Sequence, residues 1–213
     1  MKYKLTTFNK KILSDTITPV SIYLKIRDKF PNSILLESSD YHGNENSFSY
    51  VCCNPIASIS VKDQVVCEAF PDGKVNTTAC DSPGDVPEMI HDFSQKFESE
   101  NQQFKFINNG LFGYISYDAV RYFEEVSIEK KQDDLDIPDI YYAVYQNIIA
   151  INHFKNEAHI FCHSYDQTNN TDEIHQLIGN RNFASYTFKN GNDERSNLTD
   201  EEFMEQVELA KKH

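Results

Sequence analysis

The sequence predicts an α+β domain: antiparallel β-sheet or sandwich with helices packed on the outside. Two hairpin signals and a set of one-faced helices carry that expectation. Ile140 to Phe154 is long and rich in Tyr, Ile and Val, and it faces Ala158 to Tyr165 across the turn-forming pair Lys155-Asn156. Ala57 to Lys62 and Val65 to Phe70 form a second apolar pair separated only by Asp63-Gln64. The helical segments each show one apolar face at 3.6-residue spacing, which needs a sheet to cover it.

Along the chain, Thr18 followed by Pro19 reads as an N-cap and first helical residue, with Val20, Ile22, Tyr23, Leu24, Ile26 and Phe30 forming a broad apolar face up to Pro31. Ile34 to Glu37 and Phe48 to Cys53 read as short strands. Pro71-Asp72-Gly73-Lys74 closes the second hairpin with a turn. Asp85 with Glu88 suggests a capping box, with Pro87 in the first turn and Ile90, Phe93 and Phe97 at helical spacing. Asp133-Asp134-Leu135-Asp136 with Pro138 reads as a solvated loop. Thr171 to Ile178 reads as a helix and Ser185 to Phe188 as a further strand, followed by the polar linker Asn190 to Ser196. Leu198-Thr199-Asp200-Glu201-Glu202-Phe203 then carries a staple residue, an N-cap and a capping-box glutamate, so a last helix begins there with Phe203, Val207 and Ala210 on one face.

The segment from Asn109 to Glu124 is the most distinctive. Gly110 and Gly113 sit among Leu111, Phe112, Tyr114 and Ile115, and a glycine inside a strand marks a bulge or a close approach by another backbone. Beyond it Asp118 is placed to cap a helical turn that carries Val120, Tyr122 and Phe123. On physics alone this is a buried core strand.

Composition narrows the function. With 213 residues the chain can bury a sizeable core. A net charge of −13 argues against nucleic acid and against an anionic membrane surface, both of which need clustered Lys and Arg. No stretch approaches the roughly twenty apolar residues of a spanning helix, and Met1-Lys2-Tyr3-Lys4-Leu5 has no apolar signal core, so a cytoplasmic location is expected. The 5 cysteines show no C-x-x-C spacing and are read as buried thiols, Cys52 and Cys53 pointing to opposite faces of one strand. His159 and His163 share a strand face without a third ligand and are read as structural. Glu37 and Asp40 define no acid–base geometry by spacing alone, and no metal or catalytic site is expected within the chain.

The segment Gly110 to Glu124 resembles the G-x-x-G-Y-x-x-Y-D-x-V-R-x-F-E stretch of anthranilate synthase component I. Leu35-Leu36-Glu37-Ser38 is similar to the L-L-E-S motif of that family, and Asn46 to Val51 with Asn54-Pro55 is similar to its R-Y-S-F-I-G and N-P, in the same order. The resemblance implies a regulatory domain over residues 1–189, followed over 190–213 by a linker and the first helix of a chorismate-binding domain. It also implies truncation before the catalytic residues and the Mg²⁺ ligands, so that the fragment alone is expected to be inactive.

In the family the L-L-E-S motif forms part of the site for the feedback inhibitor L-tryptophan. That assigns Leu36 to the apolar slot, Glu37 to the ammonium and Ser38 to a hydrogen bond with the ligand. Ser47-Phe48 stands where many members carry Arg-Tyr or a Lys, which removes one basic contact, and because the family's site is completed by residues of the missing domain the fragment is expected to bind weakly. The implied parent converts chorismate and ammonia to anthranilate and pyruvate, with Mg²⁺ as cofactor and a glutamine amidotransferase, component II, as partner. An aminodeoxychorismate synthase and a stand-alone amino-acid-binding module remain as alternatives.

Overall fold

The computed structural model describes residues 2–37, 47–80, 82, 84–99, 104–126, 128, 136–180, 187, 191 and 196–212. Chain contacts divide it into a unit spanning Met1–Phe183 and a second spanning Ala184–His213.

The first unit is built around β3 (Phe48–Lys62) and β8 (Ile140–Asn152), which pair antiparallel from Phe48↔Asn152 to Val61↔Ile140. At one end β3 also pairs with β2 (Ile34–Leu36), and β8 with β9 (Glu157–Ser164). At the other end β3 pairs with β4 (Val65–Ala69), β4 with β5 (Val75–Ala79), and β8 with β7 (Phe112–Ile115). Strand β1 (Tyr3–Leu13) runs antiparallel to β9 through Thr6 to Leu13 and parallel to β6 (Phe97–Ser99) through Tyr3 to Leu5.

The β3–β8 ribbon is not flat. Its register shifts between Pro55 and Ala57, beside Asn54 at φ 58, whose amide donates to the Gln146 side chain. An extra residue in one strand increases local twist and bends the ribbon. The size of the bend follows from two rings. Tyr50 and Phe112 have centroids 6.0 Å apart, yet their partners on β8, Ala150 and Ala143, are seven positions apart, about 23 Å of extended strand. The ribbon therefore folds over on itself. Cys52, Phe112, Tyr145, Ile148 and Phe161 fill the space between its halves, with Phe104 and Phe106 packed against them.

Helices cover the outside of each half. Ile22 and Ile26 of α1 (Pro19–Ile26) and Ile174 and Ile178 of α3 (Thr171–Gly179) bury against Val51, Ile149 and Ile160. Val86 and Phe93 of α2 (Asp85–Ser94), with Ala119 and Tyr122 of a 3₁₀ helix (Tyr117–Tyr122), cover Ile59, Val61 and Ile140. The expected α+β class and the largely antiparallel sheet are what the chain forms.

Several local expectations are corrected. Phe48–Cys53 and Ala57–Lys62 are one bent strand. Asp85 does not cap α2: Gly84 holds the N-cap position at φ 101, and the Asp85 carboxylate accepts from the Ser82 N–H at 2.9 Å. Phe97 leaves the helical periodicity to enter β6. Ser116, not Asp118, is the N-cap of the 3₁₀ helix. Thr18 caps α1 as expected, its hydroxyl accepting from Ser21 N–H at 3.1 Å. Asp63 and Gln64 both take positive φ, as a two-residue hairpin turn demands. The strand expected at Ser185–Phe188 falls largely outside the described residues.

In the second unit α4 (Asp200–Ala210) starts at the expected capping box, in which the Thr199 hydroxyl accepts from Glu202 N–H and the Glu202 carboxylate from Thr199 N–H. Phe203, Met204, Val207 and Leu209 are exposed on it.

Candidate functional site

The glycine-containing segment is consumed by packing. A Cβ on Gly113 would stand 1.8 Å from the Tyr141 carbonyl oxygen, so only glycine lets β7 lie this close on β8. Beyond β7, Arg121 donates to Asp139 Oδ2 at 2.6 Å and the Tyr122 hydroxyl donates to the same oxygen at 2.7 Å. Asp139 is held by its backbone: its N–H donates to Val61 O and its carbonyl accepts from Ser116 N–H, each at 2.8 Å. Burial, helped by the Asp139 carboxylate and opposed by the Arg121 contact, pushes the Tyr122 hydroxyl up from its ordinary value. This arrangement fixes the 3₁₀ helix to the base of β8.

The end of β2 differs. Leu36 lies opposite Tyr50 and therefore on the same face, the one turned into the folded ribbon, while Leu35 packs with the core under α1. Leu36 remains 37% exposed and Glu37, just beyond the strand, is exposed. Beside Leu36 runs an aromatic row, with Tyr50 6.2 Å from Phe48 and Phe48 4.8 Å from Phe106. Burial raises the Tyr50 hydroxyl's pKa. Ser38 and Asp40 lie outside the described residues, so of the three expected tryptophan-binding positions the structure places Leu36 and Glu37, adjacent at one strand end. Ser47 is 7% exposed, and its carbonyl accepts from His153 N–H at 3.1 Å. The aromatic row was not expected, because Phe48 and Tyr50 share a face of β3 but Phe106, far along the chain, joins them only in the folded protein.

His163 is 1% exposed and satisfied on both nitrogens, by Asn108 O at 2.7 Å and Thr7 Oγ1 at 3.0 Å. The carbonyl can only accept, so Nε2 carries the proton and Nδ1 accepts from the hydroxyl. His159 packs its ring against Phe104 and Phe106 at 5.2 and 5.3 Å. Burial lowers both histidines' pKa values. Both rings are thus engaged by neighbouring aromatic rings or hydrogen bonds. Cys52 and Cys53 point into different cores, and burial pushes the Cys53 thiol up to about 12, which leaves it without nucleophilic character at neutral pH. Among the described residues no group of three His, Cys, Asp or Glu could hold a metal ion, and no helix is long and apolar enough to cross a membrane.

A partly enclosed cavity of about 210 Å³ opens elsewhere, between β1, β6, β8 and the segment leading into β7. Neither Leu36 nor Glu37 lines it.

The chain is similar to anthranilate synthase component 1 of Lactococcus lactis, with 28% identity covering 95% of this chain and 44% of that protein. It is also similar to aminodeoxychorismate synthase component 1 of Bacillus subtilis, with 26% identity over 70% of this chain and 30% of that one. Among solved structures, that of anthranilate synthase component I from Streptococcus pneumoniae aligns over 80% of this chain and 35% of its own, at 21% identity and a TM-score of 0.42. The chain thus spans less than half the length of these relatives. The family model for chorismate binding enzymes matches residues 37–213, starting at the glutamate that follows β2, and the chain accordingly belongs to the chorismate binding enzyme family.

Proposed function

We propose that this chain is the regulatory portion of an anthranilate synthase component I, and that the end of β2 contributes to a site for L-tryptophan. The parent enzyme adds ammonia at C2 of chorismate with loss of the C4 hydroxyl as water, then eliminates pyruvate to leave anthranilate. A glutamine amidotransferase, component II, is the proposed source of ammonia. Residues 1–189 form the regulatory part and 190–213 lead into the chorismate-binding part. Mg²⁺ belongs to the proposed chemistry of the parent enzyme, but the described residues offer it no ligand cluster.

The observation that carries the reading is the end of β2, where a half-exposed leucine stands beside an aromatic row and a solvent-facing carboxylate follows it directly. An amino acid ligand needs those features: an apolar surface for its ring and an anion for its ammonium. Leu36 supplies the first and Glu37 the second, while Ser38 hydrogen-bonds the ligand. Ser47, buried and short, supplies no cation for the ligand carboxylate, so tryptophan is held weakly by these residues alone.

An assay of the parent protein with chorismate, Mg²⁺ and ammonium, following anthranilate fluorescence, tests both parts. Anthranilate should form, tryptophan should inhibit, and Glu37→Gln or Ser38→Ala should raise the inhibitory concentration about tenfold or more, the loss of one charge-assisted contact. Formation of an aminodeoxychorismate that retains its enolpyruvyl group would instead support the second reading, which the similarity to the Bacillus subtilis protein motivates. Tryptophan inhibition unchanged in both variants would remove the role given to β2.

A further inference from the structure

The 210 Å³ cavity belongs neither to the β2 site nor to the packing of β7. Its walls are largely apolar: Leu5 from β1, Phe97 from β6, Leu111 ahead of β7, and Val144, Tyr145 and Ile148 from β8. Its size exceeds the roughly 150 Å³ of a dry engineered cavity that takes up benzene, and falls below the usual range for drug-sized ligands. One planar ring, or two fused rings, would fill it.

Its polar atoms select further. His163 reaches the wall, but both of its nitrogens are engaged, by Asn108 O and by Thr7. Asn109 donates one amide N–H to Ser99 Oγ, and its amide carries a second N–H and a carbonyl oxygen besides. Among the described lining residues there is no Lys, Arg, Asp or Glu. A carboxylate entering such a site would lose its hydration and gain no countercharge, which costs several kcal/mol.

We propose that this cavity is a binding site for a small uncharged aromatic molecule, oriented by a hydrogen bond to the Asn109 amide. The site is separate from the proposed tryptophan site, and it disfavours the charged substrate and inhibitor of the proposed function. A ligand here would bridge β1, β6 and β8 to the 109–111 segment, so its effect on the protein is to hold that segment against the sheet.

Phenol is the probe and benzoate its charged counterpart, each titrated into the full chain carrying labelled Leu and Val methyl groups. Phenol should shift the Leu5, Leu111 and Val144 resonances, leave Leu36 unmoved, and raise the melting temperature, while benzoate binds at least tenfold more weakly. Leu111→Phe should abolish phenol binding by filling the space. Asn109→Leu, at an exposed rim position, should weaken phenol several-fold and leave benzene unaffected, which keeps the test decisive if the first variant does not fold. Equal binding of phenol and benzoate, or shifts confined to other methyl groups, would overturn the proposal.

Discussion

The two motif segments of this chain meet opposite fates in the fold. In the segment from Gly113 to Tyr122, the fold accounts for the key residues: Gly113 permits backbone contact with Tyr141, and Arg121 and Tyr122 converge on Asp139. At Leu36-Glu37 packing explains little, since the leucine is half-exposed and the glutamate faces solvent. A distinctive sequence pattern can thus record a steric need, which burial reveals in the first segment, while the second is the one proposed to serve a ligand. The first segment should respond to substitution through stability, the second through binding.

The sharpest way to break that contrast is Gly113→Ala. A methyl group 1.8 Å from a backbone oxygen has no rotamer to escape to, so β7 must detach or shift, at a cost of about 3 kcal/mol or more in urea unfolding. A loss under about 1 kcal/mol would mean that β7 is not held as described. Asp139→Ala comes next. It strands a guanidinium with 22% side-chain exposure and a buried tyrosine hydroxyl, and should cost about 2 kcal/mol, more than Arg121→Met, which removes the charge together with its need for a partner.

Acid should produce a smaller effect. Burial holds His163 and His159 below the ordinary histidine value, so the unfolded chain binds protons that the folded chain refuses. Stability therefore rises with pH through this range, and is lost as pH falls below about 6.5 towards the folded-state values. Urea midpoints at pH 7.5 and 5.5 should differ in that direction, and His163→Gln should flatten the difference. The smallest effect is expected for Glu37→Gln, within about 0.5 kcal/mol of the parent in the same assay, because the side chain is exposed. A large loss of stability there would place Glu37 in the fold rather than in a binding site.

Much of the first unit was legible because its signals are local. The Thr18 cap, the Asp63-Gln64 turn and the β8–β9 hairpin each depend on neighbours within a few residues. What escaped depends on distant partners. β1 alternates buried Tyr3, Leu5 and Thr7 with more exposed residues, but its partners lie far along the chain, at Phe97–Ser99 and Glu157–Ser164. β5 is exposed throughout and shows no alternation, so only its pairing with β4 makes it a strand. The bend at Asn54 was hidden in an N-P dipeptide, and with it the meeting of Phe48, Tyr50, Phe106 and Phe112 beside Leu36. The cavity was illegible for the same reason, since its walls come from five separate stretches of chain.

The pairing of β1 also has a consequence for biogenesis. Thr7 meets His163 across 156 positions of sequence, so β1 must wait for β9 to be synthesised before the two can pair. At about 5 to 20 residues per second that wait is on the order of ten to thirty seconds. Throughout it the stretch from Thr6 to Leu13, with Phe8 and Ile12, stands without its β9 partner and open to any other edge, a need that a nascent-chain chaperone would meet.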